Sequence, residues 1–197
     1  MVAIVSVLGE IKRVITISTG RSLFSFAGSD GRLPLSQLPQ LLQADLRPGT
    51  SATLADADLS LRLLCASPLA VQAVTIELAV AFLLRVLRGV AAAEPFSVRF
   101  LSGWRTLSLA LLLGGIIQGL ADTIAGVYLA SRIGLLFGAG HVTSEQADSF
   151  LGGDYQVIGT NIPQWPVVVI VAGLVALALT AAFRAGTRLE REVDGVV

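Results

Sequence analysis

Glu77, Gln118 and Asp122 are the residues of this sequence best placed to do chemistry, because each interrupts a long apolar run. An ionisable group inside a bilayer costs at least ~2.5–3.5 kcal/mol on insertion scales, so its presence calls for a partner or a task. Glu77 lies about midway along Leu69–Leu87, and Asp122 lies ~10 Å short of the end of Thr106–Leu129 at helical rise. Gln118 precedes Asp122 by four residues and therefore shares its helical face. As antiparallel helices the two runs bring both acids to the central-to-outer part of a membrane, where they could face each other as a proton- or cation-binding site. The plainer reading, and the preferred one, is a structural hydrogen bond between helices.

Other chemistry is scarce. A single cysteine, Cys65, allows no internal disulfide, and with one histidine, His141, a Cys/His zinc cluster from one chain is excluded. No GxSxG, HExxH, Walker or dinucleotide-loop pattern occurs, which argues against a hydrolase or NTPase. Catalytic, cofactor-binding and metal sites are therefore expected to be absent, and the chain reads as a non-enzyme without a cofactor. His141 is expected in a solvated loop, and Gly152-Gly153-Asp154-Tyr155 in a turn. Formal net charge is zero, so no global basic field attracts nucleic acid, and no direct nucleic-acid contact is expected.

The elements that must carry these residues are helices in lipid. The chain has 197 residues, is 54% hydrophobic and only 14% charged; its mean hydropathy is +0.77. Soluble domains carry roughly 25% charged residues. The excess is gathered into three runs, 69–87, 106–129 and 166–183, of ~27–36 Å as helix, enough for a hydrocarbon core of ~30 Å. Ser67-Pro68 reads as the start of the first helix, Ser as cap and Pro in the first turn. Trp165 opens the third run, as interface aromatics do. Within the second, Gly115-Ile116-Ile117-Gln118-Gly119 is a GxxxG that lets two backbones approach. Packing within the chain is preferred for it over a homo-oligomer.

Arginine sets the orientation. Arg85 lies at the end of the first run and Arg88, Arg99 and Arg105 between it and the second, Arg184, Arg188 and Arg191 follow the third, and only Arg132 follows the second. By the positive-inside rule the first link and the C-terminus are cytoplasmic, and the 132–164 link is outside. Thirteen of the 14 basic residues are Arg, which with the Ala, Gly and Leu richness points to a GC-rich bacterial genome and so to a bacterial cell membrane. The spacing of Arg184, Arg188 and Arg191, beside a stripe of Leu189, Val193 and Val196, suits a juxtamembrane helix on anionic lipid, with docking of a cytoplasmic protein as the alternative.

Residues 1–66 then fall outside the membrane as a small extracytoplasmic cap, and 67–197 form the transmembrane domain. Export of such a segment needs an upstream helix. Met1–Leu8 is apolar but too short to span, so a first spanning helix, missing or truncated here, is expected to end near Met1. Within the cap, the β-branched run Ile11–Ser18 and the alternating Asp58–Leu63 predict strands. Leu35–Leu42 predicts a short helix or apolar hook. Two strands alone are marginal in water, so the cap should lean on the outer loop 138–161 or on the membrane surface. The predicted fold class is all-α: a multi-pass transmembrane helical bundle with a small β-containing extracytoplasmic cap.

Two stretches resemble a known bacterial membrane family. Leu84-Arg85-Val86-Leu87-Arg88-Gly89-Val90-Ala91-Ala92-Ala93-Glu94-Pro95-Phe96 carries an acidic-Pro-Phe turn, Glu94-Pro95-Phe96, between inner spans. The ending from Ala182 to Val197 carries Phe183-Arg184-Ala185-Gly186-Thr187-Arg188-Leu189 and closes on Asp194-Gly195-Val196-Val197. Both resemble the family known as domain of unknown function 2975, over about residues 67–197. Ala93 departs from the Gly expected before the turn. The resemblance implies four spans with an extracytoplasmic segment after the first, and no activity. It also implies a gene for a small helix-turn-helix regulator nearby. That association makes a regulator at the cytoplasmic face a candidate partner beside the lipid bilayer, and a non-enzymatic sensor, regulator or scaffold the expected role. The alternative is a small transport or proton-coupled protein using the intramembrane acids.

Overall fold

The computed structural model describes residues 2–23, 31–91, 98–135, 138–141 and 145–194. In chain order these form α1 (Val2–Thr19), β1 (Leu41–Leu46), α2 (Leu59–Ala91), α3 (Val98–Ile133), β2 (Ala139–His141), α4 (Glu145–Leu151), β3 (Tyr155–Thr160) and α5 (Val167–Asp194). Short 3-10 turns at Leu35–Gln37 and Leu54–Asp56 flank β1. Among the described residues, three helical stretches are long and apolar enough to cross a membrane: Leu59–Arg88, Leu101–Ile133 and Val167–Gly186. In their most apolar windows only 17%, 22% and 17% of residues are buried by the rest of the chain. Helices apolar on faces that protein does not cover belong in lipid.

The chain divides into two compact units, Met1–Val71 with Gln118–Trp165, and Gln72–Ile117 with Pro166–Val197. The first unit holds the sheet. Its strand order is β1-β3-β2, antiparallel throughout. Leu41 pairs with Thr160 and Ala44 with Ile158, while Gly140 takes the other edge of Ile158. The N-terminal segment thus leans on the 138–161 segment, as a stretch with too few strands of its own requires. Arg47 adds an ion pair to Asp154, Nε to Oδ2 3.0 Å, and its N–H donates to the Asp154 carbonyl. The core beneath the sheet gathers Leu35, Leu38, Leu54, Leu61, Leu129 and Tyr155, all buried.

The two predicted strands are both helical. Ile11–Ser18 lies within α1, where Val14 and Ile17 turn to the core at helical spacing. The Ser18 and Thr19 hydroxyls donate to the carbonyls of Val14 and Ile15, so these residues bond back into a helix instead of opening it. The helix stops at Gly20, with φ 68°. A Cβ there would sit 2.5 Å from the Ala55 backbone, so the turn needs glycine on both counts. At Asp58–Leu63 the alternation is coincidental. Leu61 is buried, but Leu59 and Leu63 are 55% and 51% exposed, and the inward face continues as Cys65 and Ala73 at period four.

The first spanning helix begins earlier than Ser67-Pro68. Asp58 caps it, its Oδ1 accepting from the Ser60 N–H at 2.7 Å. Pro68 then lies inside α2. Proline removes the N–H that Leu64 O would receive. The Ser67 hydroxyl donates to that same carbonyl at 2.8 Å and replaces the lost bond. The dipeptide read as a start signal is a tolerated interruption.

In the second unit small residues bring helices together. A Cβ on Gly114 would collide with Thr75 of α2, and one on Gly173 of α5 would lie 2.7 Å from the Leu112 nitrogen of α3. Ser108 and Thr180, both buried, return their hydroxyls to the carbonyls of Arg105 and Ala176 on their own helices. Trp104 and Phe183 meet at 6.4 Å between ring centroids.

Candidate functional site

Asp122 is the best-defined polar centre. It sits half-buried on α3 within the first unit. Its Oδ1 accepts from Gln40 Nε2 at 2.9 Å, and its Oδ2 accepts from the Gln164 backbone N–H at 2.7 Å. A carboxylate can accept at both oxygens, which a carboxamide cannot do. Gln40 is itself fixed by its main chain, since its carbonyl accepts from the Asn161 N–H at 2.8 Å. The side chain is 4% exposed, and its Oε1 has no hydrogen-bond partner among the described residues. Asp122 therefore ties one helix to two loops, the hook before β1 and the strand exit after β3.

Gln40 and Gln164 escaped the sequence reading. Neither has a periodic relation to Asp122, and 82 positions separate Gln40 from it. The one available signal is Gln40 itself, a polar residue inside the apolar hook 35–42.

Glu77 is a residue of α2. It belongs to the second unit and is exposed on α2, beside Val74 and Leu78 at 56% and 43% exposure. Neither hydrogen bond of Asp122 involves it. Gln118 is half-buried one turn before Asp122. Gly115 and Gly119 are buried, and each meets a neighbour within the chain: added Cβ atoms would lie 2.8 Å from Ile170 Cγ1 and 2.5 Å from Trp165 Cε3. The motif Glu94-Pro95-Phe96 lies outside the described residues. His141 is in strand β2, not a loop, exposed, with Nδ1 3.1 Å from the Gln156 carbonyl. Gly152 makes the expected turn, φ 76°, and delivers Tyr155 into the core.

Two carboxyls of the sheet-bearing unit, Asp56 and Asp58, are shifted by local hydrogen bonds. The Thr53 hydroxyl donates to Asp56 at 2.6 Å and holds that carboxyl below its ordinary range. Ser60 does the same for Asp58. Burial pushes the Tyr155 phenol up to about 12, with the Asp56 charge adding to it. No protein-family model, curated protein or solved structure matches the chain.

Proposed function

We propose that this is a non-enzymatic membrane sensor, regulator or scaffold of a bacterial cell membrane, in which the sheet-bearing segment is extracytoplasmic and the C-terminus cytoplasmic. The observation that carries the reading is the pair of hydrogen bonds to Asp122. Both carboxylate oxygens are engaged by the cap and its neighbouring loop, which suits a mechanical tie between an outer segment and a spanning helix better than an ion pathway. Arginine at 85, 88, 105 and 184 supports the orientation. The apolar first half of α1 supports a fourth span at the N-terminal side, as the resemblance to domain of unknown function 2975 implies. The partner proposed for the cytoplasmic face is a small helix-turn-helix regulator, docked on the stretch from Arg184 onward.

Co-purification of such a regulator with the full chain, lost on removal of residues 184–197, is the expected result; equal recovery with and without the stretch overturns the docking. A second reading, proton-coupled transport, is favoured by one observation, the exposed Glu77 midway along the run 69–87. It requires a proton or cation flux in reconstituted vesicles that Glu77→Gln abolishes.

A further inference from the structure

Among the described residues, the two most exposed large apolar side chains of the sheet-bearing unit are Leu42 and Ile162, at 71% and 73%. Single exposed aliphatics are common on any surface. These two are not scattered. Leu41 pairs with Thr160, and the Asn161 N–H donates to the Gln40 carbonyl, so residues 40–42 and 160–162 run side by side at one end of the sheet. Neither side chain joins the core beneath. That end of the sheet is tied to a spanning helix through Asp122, which accepts from the Gln40 side chain and from the Gln164 N–H. Leu120 and Ile124, on either side of Asp122 along α3, are 48% and 57% exposed, so the helix turns an apolar face outward at this height. Five positions after Ile162, Val167 opens a stretch long and apolar enough to cross a membrane. Trp165 stands between them, 42% exposed, where an interface aromatic belongs.

We infer that Leu42 and Ile162 insert together into the headgroup–acyl boundary of the bilayer. The inference rests on the membrane reading of the apolar helices and adds to it a second attachment of the sheet, separate from the chain's own passage through Trp165. Reach allows it. Leu42 is two residues on from Gln40, ~7 Å at strand rise, and interfacial apolar faces settle ~5–10 Å into that boundary. Polarity favours it. Strand β1 carries its apolar residue at the end tied to Asp122, while the Arg47–Asp154 ion pair holds the other end, five residues beyond Leu42 or ~17 Å at strand rise. Strand β1 is also an edge of the sheet, so no further strand of the described chain lies outside it. Lipid removes both aliphatic side chains from water without any additional protein.

The test is spin-label accessibility of the full chain in nanodiscs of phosphatidylglycerol and phosphatidylcholine. Cys65 is fully buried and stays unlabelled, and the parent chain gives the blank. Molecular oxygen concentrates among acyl chains, whereas a nickel chelate stays in water. Labels on Leu42→Cys and Ile162→Cys are expected to show an oxygen-to-nickel relaxation ratio several-fold above that of Ser51→Cys, an exposed position past the far end of β1. A ratio at either position equal to that at 51 overturns the joint insertion. A label at 42 that neither reagent reaches overturns it as well, because a second copy or another protein then covers the edge strand. Should Leu42→Cys not fold, Ile162→Cys lies outside the strands and carries the same comparison. Leu113→Cys, at a 53% exposed position on α3, separates this inference from the membrane reading beneath it. Leu113 in lipid with Leu42 in water refutes the anchor alone; both in water refutes the membrane reading too.

Discussion

Gln40 Nε2 donates to Asp122 Oδ1 across 2.9 Å, and the other oxygen of the same carboxylate accepts the Gln164 backbone N–H. Both partners are donors. Asp122→Asn keeps one acceptor, and its NH₂ must face either the Gln164 N–H or Gln40, whose amide would then have to flip and leave its own buried NH₂ unmet. A buried donor left unmet costs ~1–3 kcal/mol. The variant should therefore unfold several degrees below the wild type in detergent, although the two side chains are nearly isosteric. Gln40→Leu removes one donor, and in that background Asp122→Asn should cost less. A double-mutant cycle by thermal unfolding measures the coupling, and additive costs would show that the two side chains act independently.

The Ser67 hydroxyl stands in for the proline's missing N–H at Leu64 O. Ser67→Ala should cost about 1 kcal/mol, the worth of one such bond. In the Pro68→Ala background the backbone N–H returns, and the same change should cost nothing. An undiminished cost there would assign Ser67 another role.

The same dipeptide shows how far the sequence could be read. Apolar run length is a one-dimensional property, so 69–87 and 106–129 fall inside, and 166–183 starts one residue ahead of, the helical stretches long and apolar enough to cross a membrane, 59–88, 101–133 and 167–186. Start signals are less secure, because Ser-Pro caps a helix in one context and interrupts it in another. The strands failed for a related reason. β-branched residues at 11–18 and alternation at 58–63 are local preferences, and burial of Val14, Ile17 and Leu61 at helical spacing overrides them. Strands β1 and β3 form because they meet each other, a pairing no local pattern encodes. The partners of Asp122 were hidden in the same way.

Close helix contact gives a third prediction. A Cβ on Gly173 would lie 2.7 Å from the Leu112 nitrogen, which cannot move without shifting α3. Gly173→Ala should cost ~1–3 kcal/mol as overpacking. Gly186, on the same helix, has nothing within 4 Å of an added Cβ, so Gly186→Ala should be neutral or slightly stabilising through helix propensity. Comparing the two by thermal unfolding in detergent isolates packing from propensity. Equal effects would remove the close approach as the cause.

Tyr155 gives the pH dependence. Its side chain is 1% exposed, and its hydroxyl has no hydrogen-bond partner among the described residues. Burial raises the phenol from 10 to about 12, so the folded state favours the neutral form. The stability this supplies is complete below the unfolded value near 10 and is lost as pH rises from there through 12, on the order of 2 kcal/mol in all. Tyr155→Phe removes both the ionisation and an unmatched buried hydroxyl. It should be at least as stable as the wild type at neutral pH, because deleting an unsatisfied polar atom relieves its desolvation cost. Above pH 10 it should unfold at a higher temperature than the wild type, with the gap widening toward pH 12. Tyr128, exposed enough to bond its hydroxyl to Ser60 at 3.0 Å, serves as the control. A Tyr128→Phe variant that matches the alkaline gain would move the assignment away from Tyr155.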